Sequence, residues 1–589
     1  MISSPVVALL LAAVTPPAAP SAPIANVRYD VTIDTATVKQ RSIDVTMRFR
    51  VAGPGPVVLA LPAWSPGHYT MLWFSRRVSN FAPSVGGHPA DWRMLDYQTW
   101  RIAATPGQEM TVSFTYRADT IDRAVAWTRP DFAFFNGTNV FLYPAGRGFE
   151  WPATVTIHTS PSWRTATGMP ASAAANTYHA ATYHELVDHP FFVGHFDLDS
   201  TAVGTHWIRF ASYPSGAANA SRTLGWLARL VPAESAVFGV TPWATYTVLQ
   251  IADTVVNGGG LEHEDSQLDE LTTGELKADW LPWLYAHEMF HSWNVKRLRP
   301  ADLVPYRYDD IQPTGWLWVS EGITDYYADI ATLRAGIDDS TAFLASAASK
   351  MGQVAFAPPT ALDDASLRSW INPTDGSSGL YYAKGSVAGF LLDICIRDAS
   401  NGRESLDHVM RTLYATTYAR HRGFTPTDWW GTVSRAAGGR SFAAFSRRFV
   451  EGREPFPYDS ILPLAGLKLQ LDTVQAIQLG IDGNSDSLGL QVLDIAPGSA
   501  GARAGLRLGD HVISVGPVSM HGDAWWTALS QHYGTSSDSA APVVVRRDGA
   551  TDTLTVAIER ATRVRGRLVI DPNASAKAAR VRHGLFTGT

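Results

Sequence analysis

"LYAHEMFHSWN", residues 284–294, sets two histidines and a glutamate inside one apolar run. Residues four apart share a face of a helix, so His287 and His291 present their imidazoles to one point, with Glu288 about 100° around the axis. Two neutral nitrogens so placed bind zinc, and the neighbouring carboxylate takes a proton from water. The competing reading is a buried helix with three polar residues by chance. The choice decides whether the middle of the chain is a metal-bearing catalytic domain or a plain helical one.

A catalytic zinc usually takes three protein ligands. "GWLWVSEGITDYY", residues 315–327, offers the third: Glu321 follows the apolar Trp316, Leu317, Trp318 and Val319, and Asp325 comes one turn later on the same face. Asp325 then either accepts the far N–H of a ligating histidine and fixes its tautomer, or is a solvated helix acid. Two further stretches bear on the chemistry. "NGGGLEHEDS", residues 257–266, joins a glycine run to acids after the strand-like TYTVLQIAD, and "GLYYAKGS", residues 379–386, sets tyrosines before an apolar run. A tyrosine hydroxyl beside zinc can donate to an oxyanion. A fixed glutamate in the cleft can hold a free amine and so confine cleavage to N-termini.

The 589 residues are too many for one core, and 46% apolar with 17% charged residues is a globular composition. A net charge of −6 leaves no electrostatic footprint for nucleic acid. Cys395 is the single cysteine, which excludes an intrachain disulfide and a thiolate metal cluster. PVVALLLAAV, residues 5–14, has the length of a signal-peptide core and is too short to span a bilayer, although no Lys or Arg precedes it. The expectation is a bacterial-type leader over 1–25 and export to the periplasm or medium, with no transmembrane segment. Alternating stretches such as SIDVTMRFRV and MTVSFTYRA predict a β-rich domain over 26–205. A helical period predicts a catalytic domain over 206–460, and short strands return over 461–562. The end, 563–589, carries six basic residues against the lone acid Asp571 and reads as a solvated basic tail.

Together these stretches resemble the M61 glycyl aminopeptidase family, within the gluzincin group of zinc metallopeptidases. "LPAWSPGHYTMLWFSRRVSNF", residues 61–81, is similar to that family's N-terminal β-domain, "HEMFHSWNVKRLRP" to its metal helix and "WVSEGITDYY" to its third-ligand helix. The resemblance implies a multidomain α+β fold: an all-β N-terminal domain, a thermolysin-like, mainly α catalytic domain, and a C-terminal PDZ domain over 461–562. It implies one Zn2+ per chain held by His287, His291 and Glu321, with Glu288 as general base and Asp325 behind the ligands. "GGGLEH" stands where related aminopeptidases carry Gly-x-Met-Glu-Asn, which gives Glu262 the substrate's α-ammonium and Gly259 and Gly260 the substrate backbone. "YYAKG" matches Tyr-x-Lys-Gly, with Tyr382, or Tyr381 beside it, as oxyanion donor. In the PDZ segment Leu488, Gly489 and Leu490 resemble a carboxylate-binding loop, so the expectation is either a peptide C-terminus as partner or a purely structural PDZ domain that packs on the catalytic domain. The implied activity is a zinc aminopeptidase that removes N-terminal glycine or alanine from peptides. The rivals are a zinc endopeptidase with Glu262 merely structural, and a non-catalytic PDZ peptide-binding envelope protein.

Overall fold

Strand alternation accounts for the N-terminal third. In Ser42–Val51 the side chains of Ile43, Val45, Met47, Phe49 and Val51 are buried while Asp44, Arg48 and Arg50 face water. The computed structural model describes residues 20–254, 256, 258–486, 488–521, 525–534 and 536–589. Most of the expected leader, residues 1–19, lies outside the described residues, and the first strand, Ile24–Ile33, opens two residues before the expected domain start at 26. That strand lies in a seven-stranded sheet, joined by a five-stranded and a four-stranded sheet to complete an all-β domain.

A second five-stranded sheet begins the central domain. Its order is Asp197–Val203, His206–Tyr213, Thr245–Ala252, Ser266–Leu271 and, outermost, Gly259–Glu262, which runs antiparallel to its neighbour. The expected boundary at 205 falls in the turn of the hairpin Asp197–Val203 and His206–Tyr213. Behind the sheet stand the helices Ala220–Phe238, Leu281–Phe290, Thr324–Arg334, Ser340–Phe356 and Leu380–Ala399. Leu281–Phe290 has Pro282 in its first turn, where no backbone donor is lost. All of it except Trp283 is buried, as a helix clamped between a sheet and other helices must be. No helix among the described residues is long and apolar enough to cross a membrane.

The chain then leaves the central domain through Leu467–Gln478 and returns through Glu559–Ile570, which pair antiparallel from Leu467↔Ile570 to Gln478↔Glu559. Between these legs lies a small module with a six-stranded sheet, the helices Ala500–Ala504 and Trp525–Gly534, and its own core of Leu490, Val492, Val512, Val543 and Val545. Two expectations are corrected here. Gly489 pairs with Asp486, and Leu490 pairs with Ser485 on one side and Val512 on the other. Both edges at Leu490 are therefore taken, and no strand can be added there. The residues read as a solvated basic tail instead form the second leg and the helix Ala576–Thr587, in which Ala578, Val581, Gly584 and Leu585 are buried. Its basic residues hid an apolar stripe spaced three and four apart. Arg582 donates to the carbonyl of Ala465 at 3.0 Å, and Arg397 donates to Thr589 O at 2.9 Å.

Candidate active site

The HEMFH helix brings His287 Nε2 to 3.1 Å from His291 Nε2. Glu321 Oε2 lies 3.3 Å from His291 Nε2 and 3.7 Å from His287 Nε2. Ligand atoms about 2.0–2.1 Å from a tetrahedral zinc lie about 3.3 Å from one another, so this donor triangle fits such an ion without rearrangement. Glu321 sits on a π-helical turn, Trp318–Ile323, that leads into Thr324–Arg334. The extra residue in that turn swings one side chain out of ordinary helical register, a device common at functional sites.

The charges around this triangle suit a cation. Burial works to raise the Glu321 carboxyl, yet the imidazoles of His291 and His287 hold it down to about 2. For His287 burial acts the other way, and Asp325, Glu321 and Glu288 lift it to about 10. Glu288 is raised by its burial to about 7 against the pull of both histidines. Two imidazoles are thus surrounded by buried carboxylates, and a bound divalent ion would neutralise them.

Asn294 holds the arrangement. Its carbonyl accepts from His291 Nδ1 at 2.7 Å, which leaves the Nε2 lone pair directed at the triangle. Its side-chain amide donates to Val319 O at 2.8 Å and to Thr324 Oγ1 at 3.0 Å, tying the HEMFH segment to the Glu321 turn. The next residue, Val295, has φ of +123°, a conformation that a β-branched side chain adopts only under constraint. Asp325 faces His287 from behind, with Oδ1 3.5 Å from Nδ1, longer than a formed hydrogen bond. Lys350 fixes Asp325, with Nζ 3.0 Å from its Oδ2 and 2.8 Å from Asp329 Oδ2, all three buried.

Glycines let the other groups come close. A Cβ on Gly67 would strike the Glu262 carboxylate, and one on Gly260 would strike that of Glu288. A Cβ on Gly322 would meet Gly385 Cα and Tyr381 O, so the tyrosine-bearing helix Leu380–Ala399 crosses directly on the Glu321 turn. Glu262 is 4% exposed, and its Oε1 has no hydrogen-bond partner among the described residues. Tyr381 and Tyr382 both line the cavity, and the Tyr382 ring centroid is 6.0 Å from that of His287.

The cavity, about 270 Å³, is thus walled by every expected site residue except Gly259 and Asp325. Gly259 begins the same edge strand, and Asp325 stands behind His287. The sequence reading missed the contribution of the β-domain: Gly67, His68, Tyr69 and Arg123 complete the wall, and Tyr69 Oη is 3.4 Å from Glu321 Oε1. The similarity of "SPGHYT" to a family segment was the available clue.

Residues 30–195 match the Peptidase M61 N-terminal domain, and residues 281–388, which hold both histidines, Glu288, Glu321 and both tyrosines, match the M61 glycyl aminopeptidase model. The chain belongs to the M61 family. It is therefore a peptidase, a hydrolase of peptide bonds. No curated protein matches the sequence. Among solved structures, an aminopeptidase N family protein from Idiomarina loihiensis shares the fold of this M61 protein. It is 21% identical with a TM-score of 0.78, and the likeness covers 94% of this chain and 99% of that one. An M1 zinc metallopeptidase from Deinococcus radiodurans is also similar, at 18% identity and a TM-score of 0.47 over 74% of this chain and 96% of that one.

Proposed function

We propose that this M61 protein is a zinc aminopeptidase that releases N-terminal glycine or alanine from peptides. His287, His291 and Glu321 hold the ion, which supplies Lewis acidity to the reaction when bound. Glu288 accepts the proton of the attacking water at its carboxylate and hands it to the departing amine. Tyr382 donates its hydroxyl to the oxyanion of the tetrahedral state, and Asp325 steadies His287. Glu262 receives the substrate's α-ammonium beside Gly259 and Gly260.

The observation that carries the amino-terminal preference is Glu262. A buried carboxylate oxygen without a hydrogen-bond partner among the described residues, on a residue that lines the cavity, calls for a cationic ligand. The preference for small residues is supported by the family match and by a cavity of about 270 Å³. On the same reading the small C-terminal module is a PDZ domain and the apolar run at residues 5–14 belongs to a leader that sends the enzyme to the periplasm or medium, both supported by sequence pattern alone.

The test is metal content followed by hydrolysis of glycine and alanine anilides beside their N-acetylated forms. Stoichiometric zinc and cleavage of the free amines alone are expected. Cleavage of internal bonds in blocked peptides would replace the aminopeptidase with an endopeptidase, and absence of both metal and turnover would remove the enzyme.

A further inference from the structure

The cavity that holds Glu262 is also lined by a cation that the proposed function does not employ. Arg123 lies in the turn between the β-domain strands Asp119–Asp122 and Val125–Arg129, and it lines the same cavity as Glu262, Glu288 and Tyr382. Its guanidinium reaches the outermost strand of the central sheet: a Cβ on Gly259 would lie 3.2 Å from Arg123 Nη1. The next residue, Gly260, abuts the Glu288 carboxylate, and the strand ends at Glu262. One strand edge therefore presents, in order, a guanidinium, the proton acceptor of the proposed reaction and a carboxylate.

A peptide laid antiparallel along that edge, with its ammonium at Glu262, runs towards Gly259. At about 3.3 Å per residue, the step from Glu262 to Gly259 is about 10 Å, the length of two to three extended residues. The chain end of a short peptide then arrives at Arg123, whose planar fork matches a carboxylate. The nearest acid on the neighbouring strand, Glu270, pairs with Gly259 in the ladder. Its burial lifts it to about 8, with Asp122 adding to the rise and Arg123 opposing it. Glu270 is thus largely uncharged at neutral pH and adds no repulsion where a carboxylate would sit.

We propose that Arg123 binds the C-terminal carboxylate of the substrate, so that the enzyme acts on free di- and tripeptides rather than on the ends of long chains. This rests on the aminopeptidase reading and narrows its substrate class.

The experiment compares kcat/KM for Gly-Ala and Gly-Ala-Ala as free acids and as C-terminal amides, in the wild type, Arg123→Ala and Arg123→Lys. The free acids are expected to lead by roughly 10- to 100-fold, the worth of a hydrogen-bonded charge pair. Arg123→Ala should bring the acid-to-amide ratio close to one, and Arg123→Lys should leave it in between. Equal rates on acid and amide in the wild type, a comparison that needs no variant, would overturn the assignment while leaving the aminopeptidase intact. A preference that survives in Arg123→Ala would also overturn it. Failure of the underlying reading looks different: no glycine is released from any of these peptides, nor from glycine anilide.

Discussion

Glu288 and Asn294 lie six residues apart and do separate work, one on a proton and the other on a ligand's orientation. Glu288→Gln keeps the volume and removes the base. We expect zinc content to stay stoichiometric while kcat falls by about 10²- to 10⁴-fold on glycine anilide. Near-normal turnover would take Glu288 out of the reaction. Asn294→Ala should act on the metal instead, because it unties the His291 turn from Val319 and Thr324. Zinc affinity, read by competition with a chromogenic chelator, is expected to drop by about 10- to 100-fold. His287, Glu288 and His291 were legible because their spacing is local to one helix. Asn294 stands in the same quoted stretch, but its part depends on a turn through the positive φ of Val295, which nothing in the sequence announces. Lys350 and Arg123 come from elsewhere in the chain and reach the site only through the tertiary fold.

Among the elements, the crossing of Leu380–Ala399 over the Glu321 turn brings backbone against backbone. A Cβ at Gly385 would meet Trp318 O at 2.6 Å and Trp318 Cα at 3.1 Å. Both are backbone atoms, so the neighbour cannot simply rotate away. Gly385→Ala should destabilise the protein by about 1–3 kcal/mol in urea unfolding and lower activity by moving Tyr381 and Tyr382 away from Glu321. A silent substitution would mean that the helices separate without consequence. The "YYAKG" pattern is thus explained by packing as well as by chemistry. Other elements were harder to read. Ser266–Leu271 is buried at every position although it includes Gln267, Asp269 and Glu270, and those side chains break the apolar run that would announce a buried strand. Helical period places Glu321 on a helix correctly but does not reveal its π-turn.

Taken whole, the molecule makes its site at the junction of two domains, and an ion pair holds that junction. Asp188 of the β-domain accepts from Lys296 Nζ at 2.8 Å and from Glu264 N at 2.7 Å. Burial works to raise Asp188, but Lys296 and His263 hold it well below the usual carboxylate range, while Asp188 and Glu262 keep Lys296 above its own. A depressed acid stabilises the fold above its unfolded value, about 3.9, and a raised lysine does so below about 10.4. The pair is therefore fully effective between about pH 4 and pH 10, and its contribution fades as pH falls through the folded value of Asp188. Asp188→Asn should cost about 3 kcal/mol at pH 7, with the gap to wild type closing below pH 4. A gap that does not change with pH would assign the loss to packing. At this scale the sequence foretold an all-β domain followed by a helical one. It did not foretell that the chain's last helix belongs to the second of them, because charge concealed the contact.

The small C-terminal module is held by two strands rather than one. A single-stranded tether lets a domain tumble, whereas twelve paired positions, Leu467↔Ile570 to Gln478↔Glu559, permit bending but resist rotation about the long axis. The same topology makes the module an insertion within the peptidase. A protease that nicks one leg leaves it attached by the other, and a gene cut after it discards the helix that packs against the central domain. To remove it cleanly, Leu467 and Ile570 must be rejoined by a short turn, leaving Ala576–Thr587 to seat Leu585 where it belongs.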